Sequence, residues 1–197
     1  MRYLHGGLPT DKNSSERLLL VPEGYPVWID VPQASIGGAA TALRFELPLR
    51  GHNLPLMHRR EAKLVVALKG SLQVRAGRRP LAVLNEGDAV TLPAGTAHRI
   101  HQFGAQPSTV GIVLWPGAVE QAFRELAELA AAGRHQRGAM VDILKRYAVL
   151  WTDGEPEDET RQADVRPLSE WLATLPSQIV QPLALKWQVQ QRPCESA

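Results

Sequence analysis

Through residue 115 the apolar positions alternate with polar ones in short runs, and each run stops at glycine or proline. Val27-Trp28-Ile29-Asp30-Val31, held between Pro26 and Pro32, reads as a strand. Ala40 to Leu47 is a second, with Ala42, Arg44 and Glu46 opposing Thr41, Leu43, Phe45 and Leu47. Leu64 to Leu68 is apolar without interruption, which predicts a strand covered on both faces. Leu72 to Ala76 alternates cleanly, Leu81 to Leu84 follows, and Asn85-Glu86-Gly87 is a turn. Asp88 to Leu92, Ala97 to Phe103 and Thr109 to Trp115 complete the set. About eight short strands at spacings of about 8–12 residues predict an all-β sandwich or barrel, not βαβ units.

After Pro116-Gly117 the period becomes helical. Val119, Ala122, Phe123, Leu126, Leu129 and Ala130 share one face of a helix that Gly133 ends. Met140, Ile143, Leu144, Tyr147, Ala148 and Trp151 predict a second helix. Read as a DNA-binding pair, these helices offer only Lys145 and Arg146 on the recognition element, so packing against the barrel is the better reading. Residues 153–164 carry six carboxylates in twelve positions and read as a linker. Leu168, Trp171, Leu172 and Leu175 predict one more short helix. The tail at 179–189 is apolar and is expected to cover the barrel or meet another subunit. The chain divides into an arm at 1–25, a barrel at 26–116, a helical extension packed on it at 117–152, and an acidic linker with apolar tail at 153–197.

Composition narrows the function classes. Twenty-two basic against 20 acidic residues give a net charge of +2, which calls for neither nucleic acid nor an anionic membrane. Arg75, Arg78 and Arg79 around Gly77 read as a solvated hairpin turn. Cys194 is the single cysteine, so no internal disulfide forms and a reducing compartment suits the chain. No apolar run approaches the roughly 20 residues of a membrane span. The expectation is a cytoplasmic protein whose partner is a small molecule, and a homodimer in which Val27–Val31 pairs across subunits.

One spacing carries chemistry. Gly87, Pro93, Gly95 and His98 are separated by five, one and two residues. Gly87 turns between strands, Pro93-Ala94-Gly95 makes a tight bend, and His98 opens the next strand facing inward. This pattern resembles the second signature of the cupin superfamily, with Gln102 where the family usually carries an asparagine. The strand ending at Pro116-Gly117 and the following Phe123-Arg124-Glu125-Leu126 are similar to small single-domain cupins of the quercetin-dioxygenase-like type. The resemblance covers about residues 40–150 and implies a double-stranded β-helix, a jelly-roll barrel, with C-terminal helices.

The first cupin signature normally has two histidines one residue apart, a glutamate about five positions on and a glycine seven further. Counting back from Gly70 puts these positions at Leu56, His58 and Lys63. The resemblance implies three imidazoles and a carboxylate around a divalent iron, manganese, nickel, copper or zinc ion. Two of the four ligands, His58 and His98, are kept, and Leu56 and Lys63 replace the others. Two readings follow. In one, the metal is lost and the barrel binds a small apolar or weakly acidic molecule, as carrier, sensor or non-redox catalyst. His58, Lys63, His98, Leu56, Val65 and Gln102 then line the site, with Lys63 as cation, base or amine nucleophile and His98 beside it. In the other, a site rebuilt from His58, Glu61 and His98, with His52 swung inward, supports a metal-dependent dioxygenase. Lys63 paired to Glu61 in an inert pocket is the plainer alternative, as is an exposed His101. A structural or transcription-linked partner protein rests only on the apolar tail.

Overall fold

The strand at the centre explains the rest of the architecture. Ala62–Lys69 (β5) buries Leu64, Val65, Val66 and Ala67 completely, because both of its faces are covered. Val65 and Ala67 point into the space between two sheets, whereas Leu64 and Val66 point outward beneath a layer of helices. The computed structural model describes residues 15–20, 24–152 and 163–187.

Ten further strands precede or follow β5 in simple antiparallel order, and an eleventh joins them late. They are Glu16–Leu19 (β1), Pro26–Val31 (β2), Thr41–Leu47 (β3), Leu56–His58 (β4), Ser71–Ala76 (β6), Arg79–Leu84 (β7), Asp88–Leu92 (β8), Arg99–Phe103 (β9), Ser108–Trp115 (β10), Val149–Trp151 (β11) and Val165–Pro167 (β12). One sheet runs β1-β2-β3-β10-β5-β8-β12. The facing sheet runs β7-β6-β9 and continues through an isolated Leu56–His98 bridge to β4 and β11. The inner order β3-β10-β5-β8 against β4-β9-β6-β7 is the eight-stranded jelly roll, a double-stranded β-helix.

Glu120–Ala131 (α1) and Arg137–Arg146 (α2) pack Val119, Ala122, Phe123, Leu126, Met140, Ile143 and Leu144 into the same apolar core as the barrel interior. The buried Glu120 carboxylate fixes the start of α1 by accepting bonds from Thr41 Oγ1 at 2.7 Å, Gln33 N at 2.7 Å and Arg124 Nε at 3.0 Å. A third layer covers the outer face of the long sheet. Leu168–Trp171 (α3), with a 3-10 turn at Leu172–Thr174, and Ser177–Lys186 (α4) bury Leu168, Leu172, Leu175, Ile179 and Leu183 against Leu64, Val66, Ala89 and Val113. Trp187 lies so close over β10 that a Cβ on Gly111 would meet its ring at 2.9 Å. Its indole N–H donates to Asp30 Oδ2 at 2.7 Å, and that of Trp171 donates to the Ala89 carbonyl at 3.0 Å. The apolar tail therefore covers the barrel, one of the two outcomes expected of it.

Several sequence expectations change. The second helix stops at Arg146, not at Trp151: Ala148 turns with φ +58° and Val149–Trp151 becomes a strand on the open side of β4. The residues before Pro26 include a strand, β1, which pairs with β2 in register Arg17–Trp28. Because β2 is flanked by β1 and β3 of its own chain, Val27–Val31 is not a free edge for a second subunit. The arginine cluster is the β6–β7 hairpin, with Gly77 at φ +56° and Arg75 Nη2 donating to the Arg78 carbonyl at 2.5 Å. Cys194 and most of the acidic stretch lie outside the described residues. No helix among the described residues is long and apolar enough to cross a membrane.

Candidate active site

The turn that carries His98 is built as its sequence predicts. Gly87 leaves β7 at φ +88° and its N–H donates to the Ala67 carbonyl at 2.8 Å. Gly95 sits at φ +84° and donates to the His58 carbonyl at 2.7 Å, so the bend is tied to the end of β4. A side chain with a Cβ resists this region of backbone space, which is why glycine stands at both positions. Leu56 and His98 exchange backbone hydrogen bonds at 3.2 Å in each direction. Together these bonds bring the segment Leu56–His58 alongside His98.

Lys63 enters from the other sheet. On β5 its cross-strand neighbours are Leu114 of β10 and Leu92 of β8, both members of the barrel core. Its side chain is 3% exposed and its ammonium nitrogen lies 2.9 Å from His98 Nε2. The other ring nitrogen of His98 is 2.9 Å from the Thr96 carbonyl. A carbonyl only accepts, so Nδ1 carries the proton and Nε2 presents a lone pair to Lys63. Lys63 is the donor in this pair.

Burial governs the titration of all four polar residues. It pulls Lys63 down from 10.5 to about 7, with the Glu61 carboxylate partly opposing the fall. Burial and the adjacent Lys63 charge lower His98 from 6.5 to about 3, against the Thr96 hydrogen bond. His58 is held well below its ordinary value by burial, then by Lys63 and His98. Glu61 is raised by burial, while backbone hydrogen bonds pull the other way. These surroundings disfavour charge.

His58 and Glu61 do not complete the polar group. Glu61 Oε2 is 3.7 Å from His58 Nδ1, too long for a hydrogen bond. Both ring nitrogens of His58 and this Glu61 oxygen are buried without a hydrogen-bond partner. Lys63 turns to His98, and Glu61 lies beside His58, so the predicted Lys63–Glu61 pairing is not the contact formed.

The remaining candidates divide clearly. Leu56 and Val65 are buried in the barrel core. Gln102 is not free for a ligand: its amide donates to the carbonyls of Gly104 at 2.9 Å and Gln106 at 2.8 Å, and its carbonyl accepts from Arg50 N at 2.8 Å. It braces two loops. His52 is exposed and pairs with His101 on the outside, ring centroids 5.3 Å apart, instead of swinging into the barrel. His101 is lowered to about 4 by partial burial and by the charges of His52, Arg75 and Arg99. Missed from the sequence were Leu92 and Leu114, which flank Lys63, and the Thr96 carbonyl that fixes the tautomer of His98. The alternation of β8 and β10 contains the first two, but their pairing register with β5 does not follow from it.

The residues present do not fit the divalent metal that the resemblance implies. Among the described residues no three His, Cys, Asp or Glu side chains are grouped to hold an ion. The Nε2 lone pair of His98 is directed at Lys63, and an ammonium group there repels a cation. Only His58 and Glu61 remain, fewer than the three protein ligands usual for a catalytic site.

No family model matches the chain, and no curated protein matches it. Among solved structures it is similar to a sugar phosphate isomerase of the cupin superfamily from Silicibacter pomeroyi (17% identity, 56% of this chain, 75% of that one, TM-score 0.42). It is also similar to the polyketide cyclase RemF from Streptomyces resistomycificus (16% identity, 59% and 80%, TM-score 0.45). A third is an uncharacterized conserved protein with a double-stranded β-helix domain from Klebsiella pneumoniae (16% identity, TM-score 0.38). That match spans 41% of this chain and 66% of the Klebsiella chain. The activities named in this set differ, and none transfers through likenesses this distant. The two four-stranded halves and the glycine-framed turn before His98 make the protein a cupin-fold double-stranded β-helix, one in which Lys63 is hydrogen-bonded to His98.

Proposed function

We propose that the protein binds a small organic molecule inside the barrel around His58, Lys63 and His98, and acts on it without a metal or redox step. The observation that carries this reading is the 2.9 Å contact between Lys63 Nζ and His98 Nε2 in an apolar interior. The unpartnered ring nitrogens of His58 support the same reading, because a buried polar atom without a partner costs about 1–3 kcal/mol. A ligand oxygen supplies the missing partner.

The chemistry available is proton transfer. Lys63 and the His98 ring share one hydrogen bond, and Thr96 holds the ring so that Nε2 stays an acceptor. Such a pair moves a proton on or off a bound molecule while His58 donates to, or accepts from, its oxygen. Isomerisation and cyclisation are reactions of this class. The oxygenase alternative requires the metal that these residues do not fit, and no step is assigned to it.

The reading is tested by thermal shift with small organic acids and hydroxy-carbonyl compounds of about two to six carbons. A concentration-dependent rise in Tm is expected in the native protein, reduced in both Lys63→Met and His58→Gln. If every compound leaves the native Tm unchanged, or the variants respond as the native protein does, the reading fails.

A further inference from the structure

We propose that Lys63 is a covalent centre, whose amine condenses with the carbonyl carbon of a small aldehyde or ketone while His98 relays the protons. This rests on the reading that a small molecule enters the barrel, and adds to it the ligand's reactive group.

Three features of the geometry point this way. Lys63 Nζ is hydrogen-bonded to a neutral acceptor, His98 Nε2 at 2.9 Å, so a group able to take up a proton released when the amine attacks is already in contact. Next, among the described residues no carboxylate is in ion-pair contact with Nζ, and the Glu61 charge acts on it only from beyond contact distance. Finally, His58 is 3% exposed with both ring nitrogens unpartnered, a group free to hold the oxygen of a carbonyl or carbinolamine. Leu56, Leu92 and Leu114 make the surroundings apolar, which favours a reaction that expels water.

The step balances without any other reagent. The Nζ lone pair forms a bond to the carbonyl carbon, and the carbonyl π electrons move to oxygen. Nζ gives a proton to His98 Nε2, which hands it to that oxygen, leaving a neutral carbinolamine. The second Nζ proton follows the same route, the C–O bond breaks, and water leaves as the C=N bond forms. Lys63 ends as a neutral imine and His98 as it began.

The test uses the full-length protein with acetaldehyde and, separately, glyoxylate, each with sodium cyanoborohydride to reduce any imine to a stable secondary amine. Intact mass gives the number of adducts, and peptide mapping locates them among Lys12, Lys63, Lys69, Lys145 and Lys186. One adduct per chain is expected, on Lys63, ahead of every other lysine. Lys63→Arg is expected to remove it, and His98→Asn to slow it by about 100-fold, both with folding checked by circular dichroism. Labelling of Lys63 no faster than of the other lysines overturns the proposal, as does an undiminished rate in a folded His98→Asn. If that happens while the native protein still gives a ligand-dependent Tm rise, covalency fails and binding stands. If the Tm rise is absent too, both fail.

Discussion

Replacing Lys63 by methionine turns its burial into a measurable dependence of stability on pH. The folded protein holds Lys63 at about 7, below the 10.5 of an exposed lysine. Between these values the unfolded chain binds the proton and the folded one does not, so stability rises with pH. At about 1.4 kcal/mol for each tenfold change in the proton equilibrium, the depression amounts to about 5 kcal/mol. That penalty is fully present below pH 7, where both states carry the proton, and disappears above 10.5. Methionine fills the same space without the charge. The variant also loses the Nζ–Nε2 bond, an offset of about 1 kcal/mol that does not vary across this window. Urea unfolding of both proteins from pH 7 to 10 gives the difference directly, and titrating groups away from Lys63 cancel in it. The native protein is expected to gain on the methionine variant by about 1.4 kcal/mol per pH unit, with the variant the more stable at pH 7. A difference that stays flat, or runs the other way, refutes a buried lysine with a lowered affinity for protons.

Other consequences are independent of this one. Leu56→His combined with Lys63→Glu adds an imidazole and a carboxylate beside His58 and His98, and is expected to give stoichiometric binding of manganese or nickel by elemental analysis after dialysis. Gly111→Ala pushes a methyl group into the Trp187 ring and Leu68, and is expected to cost about 1–3 kcal/mol in urea unfolding. In a Trp187→Ala background the same change is expected to cost much less, and additive losses would refute the contact. Gln102→Ala removes three bonds to loop backbone and is expected to lower stability by about 1–3 kcal/mol while leaving the ligand response in thermal shift intact.

Local patterns made much of the fold legible. The uninterrupted Leu64-Val65-Val66-Ala67 run signalled a strand covered on both faces, and the structure supplies the barrel interior on one side and α3 and α4 on the other. The spacing from Gly87 to His98 was equally readable, because each residue answers to a turn or strand a few positions away. Elements determined by distant partners were not. Tyr147, Ala148 and Trp151 continue the apolar stripe of α2, yet Val149–Trp151 pairs with β4, some 90 residues back, because that edge needs a partner. β1 is four residues long and has no period to detect. In the site, the sequence placed Lys63 and His98 inside one barrel, but their contact depends on how the sheets are brought together by Leu56 and the Gly95 turn. The partners of Gln102 were hidden for a similar reason. Its motif position faces the interior, while its hydrogen bonds run to Arg50, Gly104 and Gln106 at the ends of loops.

Lys63 standing in for a metal ion is decided by elemental analysis of the native protein, purified without added metal and without chelator. Iron, manganese, nickel, copper and zinc are each expected far below one atom per chain, unchanged in His98→Ala. One atom per chain of any of them, lost in His98→Ala, would contradict the substitution of an amine for the ion.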